Sequence, residues 1–193
     1  MLILLKWQEL YYGASSGKNK KVLASILEQK EQSVNIINEV HAIEKIYDVF
    51  LGQLKEAYHD RKEIKIDYTY LQQKEIKSFV GLLRYYEIES INNLQNTNYQ
   101  QFHEWNKKTL NLVESNNLWF EAHKEEYISF LSNSLYSSSL IENYEDFKQY
   151  LCKLNQLEVP NSIIKIRKYR ELIPGKLFYT LITGKDINKL EEV

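Results

Sequence analysis

Four histidines, one cysteine and a glycine- and lysine-bearing loop are the residues here whose types could do chemistry, and their spacing decides what each can do. The loop Gly13–Lys20 (GASSGKNK) has the look of a phosphate cradle. That motif needs four residues between its glycines and Ser or Thr directly after the lysine, so that backbone N–H groups wrap the phosphates and the hydroxyl meets magnesium. Three residues separate Gly13 from Gly17, and Asn19 follows Lys18, so the segment reads as a turn capped by Ser15 or Ser16. Lys18, Lys20 and Lys21 stand where a helix dipole prefers acids; they read as solvated loop lysines before they read as an anion site.

The histidines are His41, His59, His103 and His123. Glu56 and His59 form one Glu-x-x-His, the spacing that points both side chains to one side of a helix in di-iron bundles. Such a centre needs the motif twice plus two more glutamates, and Gln100 stands where an acid should precede His103. No metal and no cofactor is expected. The pairing of arginine with a histidine four to six residues later, used by some helical RNases, is absent from Arg61, Arg84, Arg167 and Arg170. Cys152, beside Leu151 on an apolar face, reads as a small buried hydrophobe. A triad of Ser, His and Asp can assemble from distant positions, but no local pattern announces one.

Two surfaces remain. Between Leu157 and Lys176, Lys165, Arg167, Lys168, Arg170 and Lys176 stand against Glu158 and Glu171, five minus two or +3, with Tyr169, Phe178 and Tyr179 among or after them. Phosphate contact needs clustered cations and base stacking needs aromatic faces, so this is the candidate nucleic-acid or anion strip. On a helix its charges would point all round, and the acidic stretch 103–159 offers internal partners. The second surface is aromatic: fifteen tyrosines, including Tyr11–Tyr12 and Tyr85–Tyr86, are more than a core this size buries with hydroxyls satisfied. Tyrosine favours protein interfaces.

The elements that must carry these residues are helical. With 193 residues, a single domain with a proper core is expected. Only two prolines occur, Pro160 and Pro174, against about ten at average usage, so the first 159 residues lack the strongest helix breaker. The net charge of −1 gives no global pull toward nucleic acid or acidic membrane. One cysteine excludes an internal disulfide framework and suits a reducing cytoplasm. The apolar start Met1–Leu5 is too short for a membrane span.

Gly17–Asp60 organises the rest. Positions spaced four and three apart from Ile26 are mostly apolar through Ile37, Val40, Tyr47, Leu51 and Leu54, which is a helix with one buried stripe, roughly 60 Å long if continuous. The polar run Glu28–Ser33 predicts a kink, a loop or a polar crossing. Leu2–Tyr12 predicts a short helix stopped by Gly13. Residues 64–70 alternate like a strand but lack a partner, so a loop is expected, with Asp67 or Thr69 capping a helix from Leu71. Asn92–Asn98 is a loop signal; a helix through Phe102, Trp105, Leu110 and Val113 follows, broken at Asn116 and Asn117. Leu118–Leu135 forms the next helix, fading into Ser137–Ser139, and Asn143 caps the one through Leu154.

The expectation is an all-α antiparallel bundle over residues 1–156, organised on the long N-terminal helix, with an irregular C-terminal subregion, 157–193, packed on it. Its function is expected to be that of a non-enzymatic, cytoplasmic interaction subunit that binds a protein partner or itself. The alternative is a nucleic-acid-binding accessory protein using Lys165–Lys176; no membrane partner is expected.

Overall fold

The computed structural model describes residues 1–14, 20–60 and 75–184. These form eight helices and no strand: α1 (Leu2–Ala14), α2 (Lys20–Asp60), α3 (Phe79–Gln95), α4 (Tyr99–Glu114), α5 (Asn117–Ala122), α6 (Lys124–Leu140), α7 (Tyr144–Gln156) and α8 (Ser162–Thr183). The all-α class and the long N-terminal helix are therefore as expected. The phosphate-loop-like residues 15–19 and the alternating segment 64–70 lie outside the described residues. The chain divides into two compact units, Met1–Arg84 and Tyr85–Val193, and the division falls within α3.

In the first unit, α1 packs on α2, burying Leu5 and Ile26. The polar run Glu28–Ser33 does not interrupt the helix; it is a polar crossing. Lys30 is ion-paired with Glu9 of α1, and buried Ser33 donates its hydroxyl to the Gln29 carbonyl at 2.8 Å. Further along α2 burial falls on Ile43 and Phe50, one residue ahead of Glu44 and Leu51 in the expected stripe, and Ile37 is exposed. The start of α3 is set from α2. Glu39 accepts from Ser78 N at 2.9 Å, from Ser78 Oγ at 2.7 Å and from Lys77 N at 3.2 Å, while Ser78 Oγ accepts from Gly81 N at 3.1 Å. The helix that carries Phe79 starts there, since residues 75–77 are not helical, and its capping groups come from Ser78 and a distant glutamate; the expected start at Leu71, with Asp67 or Thr69 as cap, lies outside the described residues.

The second unit is a bundle whose direction can be read from its side-chain pairs. Tyr127 meets Glu114 and Ser137 meets His103, so α6 runs antiparallel to α4. Lys168 reaches Asn155 and Phe178 touches Phe147, so α8 runs antiparallel to α7. With α7 returning from α6 through a three-residue turn, α4, α6, α7 and α8 go up, down, up and down. The core is Phe102, Leu110 and Val113 of α4, Ile128, Leu131 and Leu135 of α6, and Leu151 and Leu154 of α7, closed by Leu172 and Tyr179 of α8.

Three boundaries differ from expectation for local reasons. The helix expected over Leu118–Leu135 is two, because His123 leaves helical geometry at φ −125° and ψ 41°. It then continues through Ser137–Ser139 instead of fading, since Ser138 donates to the Ser134 carbonyl at 2.7 Å and Ser134 to Phe130 at 2.9 Å, which removes their competition with the backbone. Within the C-terminal subregion, expected to be irregular, Ser162–Thr183 form the regular 22-residue α8. Pro160 precedes Asn161, whose side chain caps Ile164 N at 2.9 Å, and Pro174 removes only one backbone hydrogen bond. Burial of Leu172, Gly175 and Tyr179 on either side of it holds the helix together. A Cβ at Gly175 would stand 2.9 Å from Leu151 Cδ1, so glycine lets α8 lie close on α7.

Candidate functional site

The structure assembles what no local pattern announced: Ser137, His103 and Asp146 in line across α4, α6 and α7. His103 Nδ1 is 3.0 Å from Ser137 Oγ and Nε2 is 2.8 Å from Asp146 Oδ2. Ser137 Oγ also lies 3.0 Å from the Ser134 carbonyl. The same Asp146 oxygen accepts from Lys107 Nζ at 3.1 Å and from Asn143 Nδ2 at 3.0 Å, while Asn143 Oδ1 caps Asp146 N. Asn143 at the head of α7 is the residue that the sequence marks as a cap; the histidine and serine it helps to align carry no such mark.

The line runs the wrong way for nucleophilic catalysis. Ser137 is fully buried and His103 is 1% exposed, whereas Asp146 faces the edge of the bundle. A substrate carbonyl has no approach to Ser137 Oγ, so the arrangement acts as a lock between three helices. Burial pushes the Asp146 carboxyl up, but hydrogen bonds from His103 and Lys107 outweigh it and hold the group below its usual 3.8. A carboxyl depressed in the folded state stabilises above its unfolded pKa, and that contribution disappears as pH falls through the lower folded value. Asp146→Asn is therefore expected to cost about 1–3 kcal/mol at pH 7, and its deficit relative to wild type to shrink below about pH 4, measured as urea midpoints across pH.

The other histidines do not join it. His41 is exposed, His123 stacks on Trp119 at 4.7 Å, and the side chain of His59 lies outside the described residues. Among the described residues no three His, Cys, Asp or Glu side chains gather as metal ligands. Cys152 is half-buried. A cleft of about 410 Å³ opens among Glu114, Phe120, Lys124, Tyr127 and Lys153, but its central carboxylate is already held by Tyr127 Oη at 2.7 Å and by Lys153 Nζ at 2.7 and 2.9 Å.

The basic strip lies on α8 and is largely engaged within the bundle. Arg167 binds Glu125 and donates to Ser129 Oγ at 2.7 Å. Lys168 donates to the carbonyls of Asn155 and Leu157 at 2.7 and 2.8 Å, closing the C-terminus of α7; burial and then the charges of Lys176 and Lys165 pull its pKa down. Arg170 bonds Glu171 at 3.2 Å, Lys165 is exposed and Lys176 half-buried. Of the five cations, Arg167, Lys168 and Arg170 thus have partners within the second unit.

What α8 does present is apolar. Ile163, Ile166, Ile173, Leu177 and Leu181 are between 55% and 83% exposed and share the side opposite buried Leu172 and Tyr179. A surface helix ordinarily turns a polar side to water, and the outer side of α8 is mostly apolar instead. Aliphatic positions spread along the whole helix gave sequence reasoning no stripe to see. In the first unit α1 also exposes Ile3, Leu4, Trp7 and Leu10. The tyrosines are divided: Tyr127, Tyr150 and Tyr179 are buried, Tyr85 and Tyr86 pack on Trp105, and Tyr99, Tyr136 and Tyr169 are exposed.

Fold and surface together define an all-α chain with a buried polar lock and a bare aliphatic helix face. No family model, curated protein or solved structure matches it. Among the described residues no helix is long and apolar enough to cross a membrane.

Proposed function

We propose that the chain is a non-enzymatic interaction subunit of the cytoplasm, working through protein–protein contacts made by the outer face of α8. The observation that carries this reading is the run of five large aliphatic side chains, Ile163 to Leu181, left in water along one helix. Each such side chain is worth about 1.5–3 kcal/mol when buried, and a patch of them signals an interface. The contacting face is aliphatic with Tyr169 at its edge, not the tyrosine surface expected from composition. The nucleic-acid alternative has less to rest on, because Arg167 and Lys168 already have partners inside the bundle.

The test compares wild type with Ile166→Asp/Leu177→Asp in native mass spectrometry and affinity capture. Both positions are solvent-facing, so the bundle is expected to keep its helical circular dichroism. Whatever protein wild type binds should be bound at least about a hundredfold more weakly by the variant. Equal capture by the two, or a wild type that binds neither itself nor any protein, overturns the reading.

A further inference from the structure

The cleft among α4, α5, α6 and α7, about 410 Å³, is of a size that takes a small molecule, and its lining is largely apolar. Phe120 and Tyr127 stand edge to face with ring centroids 4.8 Å apart, and Leu157, 8% exposed, lines the same cleft. The charges on its walls are unequally matched. Glu114 accepts from Tyr127 Oη at 2.7 Å and from Lys153 Nζ at 2.7 and 2.9 Å, so both of its oxygens are engaged and its charge has a close partner. Glu158, the other acid of the lining, is exposed to water, where salt screens it.

Lys124 is matched less well. Its side chain is 11% exposed, whereas its carboxylate partner at 3.0 Å, Glu121, is 71% exposed. An ammonium has three N–H donors. Among the described residues Lys124 Nζ directs them at Glu121 and at the face of Phe120, 3.4 Å from the centroid, which attracts the charge but offers no lone pair. Lys124 is also the first residue of α6, at the end of a helix where the backbone dipole favours an anion. The acids of that turn, Glu125 and Glu126, do not line the cleft. The charge that asks for a partner inside the cleft is therefore positive, and it stands beside apolar rings.

We infer that this cleft binds a small organic anion, one carboxylate on an aromatic or short aliphatic body, with the carboxylate on Lys124 Nζ and the body against Phe120, Tyr127 and Leu157. A cation would meet Lys124 and Lys153 while Glu114 is already taken. A second negative charge would come against Glu114, so the ligand carries one. No residue of α8 lines the cleft, and binding there is independent of the contacts proposed for that helix.

Benzoate and hexanoate are the probes, titrated into the isotope-labelled full chain and followed through its backbone amide NMR signals. Each should bind with a Kd of about 0.1–1 mM, usual for ligands of this size, and move the amides of Asn117, Lys124, Gln156 and Leu157. Benzylammonium and benzyl alcohol, the same ring with a positive charge and with none, should bind at least about tenfold more weakly than benzoate. Lys124→Met keeps an apolar stem over Phe120, so the helical circular dichroism should hold, and it should weaken benzoate about tenfold while leaving benzyl alcohol within about twofold. Should that variant unfold, benzoate against benzylammonium on wild type decides alone. No amide shift with either anion up to about 10 mM, shifts confined to α8, benzylammonium bound as tightly as benzoate, or benzoate binding unchanged in folded Lys124→Met overturns the inference.

Discussion

Replacing His103 with alanine should lower the unfolding free energy of the second unit by about 3–5 kcal/mol. The imidazole is 1% exposed and bridges Ser137 of α6 to Asp146 of α7. Its removal opens a cavity among three helices and strips the aspartate of a buried donor, which is the costly way to break such a pair. Urea unfolding followed by the fluorescence of Trp105 and Trp119 reports on this unit, with Trp7 in the other. Paired with Ser137→Ala and Asp146→Asn, the substitution should be non-additive by about 0.5–3 kcal/mol, the signature of residues acting as one network. A loss under about 1 kcal/mol, additive with both neighbours, would show that the line of three is incidental.

Gly81→Ala should destabilise the first unit by about 2–3 kcal/mol, against the ordinary gain of roughly 1 kcal/mol for that change inside a helix. The added Cβ would stand 2.5 Å from Ser78 Oγ, 2.8 Å from Ile43 Cδ1 and 2.9 Å from Ile76 Cγ2. Ser78 cannot turn aside without giving up Glu39 and the Gly81 amide, so the clash and the cap are lost together. Gly52 is the control. A Cβ there meets nothing within 4 Å, and Gly52→Ala on α2 should stabilise by up to about 1 kcal/mol. Thermal melts of the two variants should move in opposite directions; movement in the same direction refutes the packing argument.

How much of this was legible depended on whether the deciding contact was local. The break at Asn116, the cap at Asn143 and the inward Phe102, Leu110 and Val113 were readable because each follows from residues within a turn or two. The start of α3 was not, because its capping carboxylate is Glu39, 39 residues before Ser78. The end of α6 was hidden because Glu142 takes the left-handed conformation, φ 56°, where glycine would have signalled a stop. Pro174 and Gly175 carried the opposite of their usual meaning, since packing on α6 and α7 overrides local propensity. The candidate site divides the same way. The cations of α8 were visible by type, and so was the acidic stretch 103–159 as a source of internal partners, but the particular pairing of Arg167 with Glu125 was not, and a helix apolar on both sides shows no single stripe.

Ser134, Ser137 and Ser138 occupy interior positions of α6 where a leucine or isoleucine would ordinarily sit. An interior furnished with hydroxyls that answer to their own backbone sheds less ordered water when it forms, so the heat-capacity change of this bundle falls below that of an all-hydrocarbon core of equal length. Its stability curve is expected to be slightly flatter for it, a difference that scanning calorimetry would read.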